Sequence, residues 1–174
     1  MSLFHLKEWW AEDLSCETFG QGSVVVGNID DSPESTMKVI TGSLQGRLCV
    51  FDPQLTVARN GSRMLLEAKL DAPIYQLEIG QLTSNLKHAL AILHPCKLVV
   101  CSCTPRDMKT QTSEVAETCH LELLFQYVHK FGASPSGLNA YSMCVGSFGS
   151  TSDHDMIIVQ SMDGGVTAYD YEVS

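Results

Sequence analysis

Three thiols and an imidazole lie within ten residues of one another: His94, Cys96, Cys101 and Cys103. Such groups could bind zinc, but zinc sites usually pair their ligands as C-x-x-C or H-x₃₋₅-H, and neither spacing occurs here. Cys101 and Cys103 would share one face of an extended strand, about 7 Å apart, which is too far for a disulfide. The spacing predicts buried thiols acting as small hydrophobes, with no metal and no disulfide at Cys96, Cys101 or Cys103. Asp153-His154-Asp155 is a second compact candidate. A calcium loop alternates oxygen ligands and carries a glycine, and that pattern is absent, so the tripeptide reads as a solvated turn. No G-x-S-x-G, P-loop or G-x-G-x-x-G is present. The sequence therefore nominates no catalytic, cofactor-binding or metal-binding residue.

The elements that would have to position any such group are repeats. Lys38–Phe51, KVITGSLQGRLCVF, places two short apolar runs around a turn carrying Gly46, which reads as a β-hairpin. The pattern returns without gaps as His88–Cys101 and as Met156–Tyr169. Each hairpin follows an apolar run ending in glycine: VVVG at Val24–Gly27, LEIG at Leu77–Gly80 and MCVG at Met143–Gly146. After the first two hairpins come further alternating runs. Leu66, Ala68 and Leu70 point away from Glu67 and Lys69, and Leu121, Leu123, Phe125 and Tyr127 share a face. The unit is four antiparallel strands in about 50 residues, which fits one propeller blade. No Trp-Asp dipeptide marks an ordinary WD repeat, and Gly164-Gly165 is the single double glycine.

The expected organisation is an all-β chain of about two and a half four-stranded antiparallel blades. Residues 1–22 form an N-terminal segment packing on or closing the propeller, 23–72 blade 1, 73–130 blade 2 and 131–174 an incomplete blade 3. Residues 3–14 fit a short amphipathic helix and a strand equally well. Adjacent Trp9 and Trp10 are anchors that could grip two surfaces, or leave one ring exposed for a partner. Loops are expected at Asp30–Thr36, at Asp52–Arg63 with its Asn60-Gly61 turn, at Thr104–Thr118 and at Gly132–Gly137.

The chain has 174 residues, 44% hydrophobic and 18% charged, an ordinary globular composition. A net charge of −9, with no Lys/Arg cluster, argues against nucleic acid and anionic membranes as partners. No leader-like apolar run opens the chain and no stretch reaches the length of a membrane span, so a soluble cytoplasmic location without direct membrane insertion is expected. Seven scattered cysteines suit a reducing compartment.

Several short stretches resemble one family. They are MSLFHLKEWW at the start, Gly20-Gln21-Gly22, VVVGNID, KVITGSLQGRLCVFDP, GSFG at Gly146–Gly149 and QSMDG at Gln160–Gly164. In this order they resemble the N-terminal region of the parathyroid-hormone-responsive B1 family, the ninth Bardet–Biedl syndrome subunit of the BBSome. The opening MSLF-x₄-WW and the closing QSMDG are not general propeller features. Asp31–Met37, Pro53–Arg63 and Thr104–His120 depart from the family pattern, so no loop-borne contact carries over. The resemblance implies a seven-bladed N-terminal propeller in a longer protein, followed by a β-sandwich and helical segments. It implies a non-enzymatic scaffold or adaptor in a coat-like complex for ciliary membrane-protein trafficking and ciliogenesis. The implied partners are the other BBSome subunits and, through the complex, ciliary membrane-protein cargo. The implied locations are the cytoplasm, the cilium, the ciliary membrane periphery and centriolar satellites. It implies no cofactor. The competing readings are a propeller hydrolase whose site is completed by further blades and a small antiparallel sandwich with a binding role. Taken alone, the chain is expected to self-associate. Its bare faces would carry Val24, Val26, Val39 or Val50 at the front and Ile157, Val159, Val166 and Tyr169 at the back.

Overall fold

The computed structural model describes residues 5–32, 36–55, 63–83, 87–105, 121–131, 140–148 and 154–170. Asn60-Gly61, Asp153, most of the loop after Thr104 and the connection Gly132–Gly137 lie outside them. The described residues contain strands and no helix. The first sheet is β1 (Val24–Gly27), β2 (Lys38–Gly42), β3 (Arg47–Phe51) and β4 (Met64–Lys69). The second is β5 (Gln76–Gly80), β6 (Ala89–Leu93), β7 (Lys97–Pro105) and β8 (Leu121–Lys130). The third is β9 (Ala140–Gly146), β10 (Met156–Ser161) and β11 (Val166–Tyr169). In every sheet sequential strands are antiparallel neighbours, so the all-β chain folds as three meanders consistent with propeller blades. Residues 5–14, the described part of the stretch 3–14 where helix and strand were both open, adopt neither.

The middle strands of the second sheet are buried on both faces, and β6 shows why ALAIL carries no polar residue. Leu90 and Ile92 enter a core shared with the first sheet, where they meet Ile40, Val50 and Leu66. Ala89, Ala91 and Leu93 enter a second core with Met143, Ile157 and Val159 of the third sheet. Period 2 sends alternate residues to opposite cores. The hairpin β2–β3 turns at Gly46, whose φ of 84° is a conformation that side chains rarely adopt.

Register corrects the faces expected for five residues: Tyr127, Val50, Ile157, Val159 and Tyr169. Val100 pairs with Tyr127 but Cys101 pairs with Phe125, so Gln126 is a bulged extra residue. Leu121 and Leu123 join the first core, whereas Tyr127 moves to the opposite face of β8. There His129 packs against Tyr169, with ring centroids 4.8 Å apart and the ring planes tilted by 55°. Val50 faces the second sheet rather than the open front, because it lies opposite Ile40 and Leu66. The front keeps Val24 and Val26, both more than half exposed, and half-buried Val39. At the back, Ile157 and Val159 are buried against the second sheet and Tyr169 packs on the same core, leaving Val166 alone of the four on the outer face.

Candidate functional site

The candidate thiols and imidazole are not brought together. Cys96 is exposed in the β6–β7 turn, while Cys101 and Cys103 lie buried on the first-core face of β7. The Cys101 thiol donates to the Leu90 carbonyl at 3.7 Å. Burial pushes the Cys101 thiol far up and the Cys103 thiol up to about 12, away from the thiolate that a nucleophile or metal ligand needs. Among the described residues no group of three or more His, Cys, Asp or Glu side chains is placed to hold a metal ion.

His94 closes β6 and is buried, with its Nδ1–H donating to the Pro73 carbonyl at 2.8 Å. That bond ties the β6–β7 hairpin to the link between the first two sheets. Burial holds the His94 pKa below its ordinary value, and the Lys97 ammonium adds to the effect. The unfolded chain therefore binds this proton first as pH falls. His94 stabilises the fold fully above the unfolded value of about 6.5, and this contribution is lost as pH drops from there through the lower folded value. Urea unfolding between pH 7.5 and 5.5 is expected to show a steeper loss of stability for the wild type than for His94→Asn. Equal slopes would remove His94 from the acid response.

Asp155, expected in a solvated turn, instead joins two sheets. Its N–H donates to the Gln81 carbonyl and its Oδ2 accepts from the Gln81 N–H, both at 2.9 Å. His154 Nε2 lies 2.5 Å from Asp170 Oδ1.

The polar groups with the most structural consequence carry no motif. Gln76 on β5 acts like a strand neighbour to β9: its Oε1 accepts from the Met143 N–H at 2.8 Å and its Nε2 donates to the Met143 carbonyl at 2.7 Å. Gly22 makes room, since a Cβ there would sit 2.8 Å from Gln76 Cγ. Replacing Gln76 by Ala leaves two backbone groups of β9 without these partners and is expected to cost ~1–3 kcal/mol in urea unfolding. Gln76→Glu should not restore the loss, because a carboxylate cannot donate to the Met143 carbonyl. Full recovery by Glu would refute the pairing.

At the opposite strand ends, Lys38 Nζ lies 3.1 Å from Asp30 Oδ1, with both side chains nearly excluded from solvent. It also donates to Ser32 Oγ and the Thr36 carbonyl, each at 3.2 Å, and to Thr36 Oγ1. Asp31, at a φ of 47°, accepts from His88 N–H at 3.2 Å and lies 2.9 Å from its Nδ1, joining the first sheet's loop to the second. These groups escape sequence reading because each partner is distant in the chain or sits in a loop that looks exposed. The one available signal is that Lys38 and His88 occupy matching positions in the repeat.

What remains open to a partner is surface. A groove of about 660 Å³ crosses the ends of the inner strands, lined among others by Leu44, Tyr75, Gln76, Tyr141 and Met162. On the outer strand β8, Phe125, Tyr127 and Val128 are about half exposed. Trp10 sits on Phe51 with ring centroids 5.6 Å apart, while Trp9 stays 73% exposed. The arrangement offers shape and apolar contact, while the Cys101 and Cys103 thiols lie in the core and His94 and Asp155 bond across to neighbouring segments.

The family described as PTHB1 N-terminal matches residues 1–174. Protein PTHB1 of Homo sapiens is 33% identical over 177 residues, a match covering 99% of this chain and 19% of that protein. Protein PTHB1 of Xenopus laevis is 33% identical, with 99% and 20% covered, and that of Mus musculus 31% identical, with 99% and 19% covered. The chain thus spans about a fifth of the length of the curated relatives it matches.

Proposed function

The chain belongs to the PTHB1 N-terminal family, and from that premise we propose that it works as a non-enzymatic scaffold within the BBSome. In this reading it contributes propeller blades to a coat-like complex that moves membrane proteins into and out of cilia. The observation that carries the proposal is the family match over all 174 residues. The fold is compatible: three stacked antiparallel sheets present edges, strand ends and grooves, the surfaces through which propellers bind other proteins. The side chains with the most reactive chemistry have structural tasks, as the buried Cys101 and the Pro73-bonded His94 illustrate. The net charge of −9 disfavours direct binding to nucleic acid or to anionic lipid. Partners are the other BBSome subunits, with cargo reached through the assembled complex. In this reading the protein works in the cytoplasm, the cilium, the ciliary membrane periphery and centriolar satellites.

A rescue experiment tests this role. Cells lacking the full-length protein are expected to mis-sort ciliary membrane proteins, and re-expression should restore them with the tagged protein at the cilium. Normal ciliary sorting in its absence would contradict the proposal.

A further inference from the structure

The outer strand β8 carries apolar side chains past the point where the first sheet covers them. It runs for ten residues, against six in β4, the outer strand of the first sheet. Register sets Phe125 opposite Cys101 and Val128 opposite Val99, and both partners belong to the core shared with the first sheet. Phe125 and Val128 therefore face that sheet. Leu121 and Leu123, earlier on the same face, meet it. Phe125 and Val128 stay 57% and 48% exposed. On the other face of β8 rings fill the equivalent space, where His129 packs on Tyr169 and Phe131 at centroid distances of 4.8 and 5.7 Å. β4 reads MLLEAK and supplies no ring on its own side.

The result is a groove of about 320 Å³ between the exit of β4 and the face of β8, lined among others by Leu70, Asp71, His94, Lys97, Phe125 and Val128. Two further properties point to what fits it. Among the described residues no strand pairs with the outer edge of β4, so its outward backbone groups can accept another strand. The groove also gathers positive charge in a chain of net charge −9. Lys69 lines it, Lys97 bonds to Asp71 at 2.5 Å, and exposed Lys130 lies opposite Lys97 on the same face. Glu67, the one carboxylate of β4, is held by Arg47 at 2.8 Å. Three ammonium groups thus stand against the Asp71 carboxylate. The short link from Leu70 to Tyr75 runs straight into β5 and leaves no chain at this point to fill the groove.

We propose that the groove binds an extended segment of another protein, one that alternates apolar and acidic side chains. The segment adds a fifth strand at the edge of β4. Alternation turns its apolar side chains inward onto Phe125 and Val128, while carboxylates on its outer side and at its end reach Lys69 and Lys130. The proposal rests on the scaffold reading and names one surface by which such a scaffold holds a neighbour.

Two measurements on the full-length protein test it. In cells, benzoylphenylalanine at Val128 is expected to join the protein to one segment of a different protein, mapped by mass spectrometry to alternating apolar and acidic residues. That product should fall about tenfold when Lys130→Glu is added. Crosslinks only within the same chain, crosslinks to a second copy, no product, or a product indifferent to Lys130→Glu would overturn the proposal. With purified protein, fluorescence anisotropy of a short dye-labelled peptide alternating valine and glutamate should show saturable binding. Phe125→Ser should weaken it about tenfold, Lys130→Glu about as much at low salt, and Tyr127→Ser, on the opposite face, not at all. A valine–lysine peptide, or a valine–glutamate peptide N-methylated at the amides that pair with β4, should not bind. Phe125 and Lys130 are both exposed, so their variants should keep the wild-type melting temperature. Equal affinity for wild type, Phe125→Ser and Lys130→Glu, or undiminished binding of the N-methylated peptide, would overturn the proposal. Recovery of the assembled complex from the same cells reports on the scaffold reading independently, so the two can fail separately.

Discussion

Lys38→Met is expected to destabilise the protein by ~3–5 kcal/mol, because it strips the partner from a buried carboxylate. The Lys38 side chain is 3% exposed and the Asp30 side chain 10%. With the ammonium gone, Asp30 remains in a poorly solvated position near the Cys103 thiol, whose ionisation it already opposes. Ser32 and Thr36 lose the donor that draws their loop onto the start of β2. The control is the double variant Lys38→Met with Asp30→Asn, which removes both charges. Replacing both members of a buried pair is far less costly than removing one, so the double variant should recover a large part of the loss. Urea unfolding of the three proteins checks this. A single-variant loss below about 1 kcal/mol, the range of exposed pairs, would mean that water reaches Asp30.

Gly46→Ala is the second large effect. A Cβ there would lie 2.8 Å from the Leu70 carbonyl oxygen and 2.8 Å from that of Ala72, and both obstacles are backbone. The Leu70 N–H also donates to the Gly46 carbonyl at 2.7 Å, so the turn cannot move without loosening the exit of β4. A left-handed conformation costs about 1–2 kcal/mol for an L residue, and overpacking adds ~1–3, for a total of ~2–5 kcal/mol. Gly164 separates the two contributions. Its φ of 90° is equally unfavourable, but nothing lies within 4 Å of its would-be Cβ. Gly164→Ala should therefore cost only about 1–2 kcal/mol. Equal losses at the two turns would show that the carbonyls beside Gly46 yield easily.

The strands were legible because their cues are local. Alternation in Leu66–Leu70, the glycine-bearing turns and the gap-free hairpin repeat each reflect the side-chain geometry of one short segment. Facing directions were less legible, for two physical reasons. A bulge adds one residue and inverts the phase of everything beyond it, as Gln126 does for Tyr127. A strand buried on both faces also looks the same whichever neighbour covers it. Ile157 and Val159 therefore read as facing outward when they face the second sheet. Polar residues holding sheets together were the least legible. Gln76 sits in a polar phase of a strand, and its role depends on Met143, far along the chain. Lys38 opens an apparently amphipathic run, and its burial depends on how Asp30, Ser32 and Thr36 fold back. For the candidate site, missing ligand spacing led to buried thiols at Cys96, Cys101 and Cys103; the structure places Cys101 and Cys103 in the core and corrects Cys96, which sits exposed in the β6–β7 turn where no neighbouring sheet covers it. The same reading gave no sign that Asp155 would link two sheets.

The scaffold proposal is tested most directly by affinity purification of the tagged full-length protein, with quantitative mass spectrometry of what accompanies it and a hydrolase screen of the same sample. The account predicts the other BBSome subunits in near-equal amounts and no turnover. Recovery of the protein without those subunits, together with hydrolysis above that of a mock purification, would contradict it.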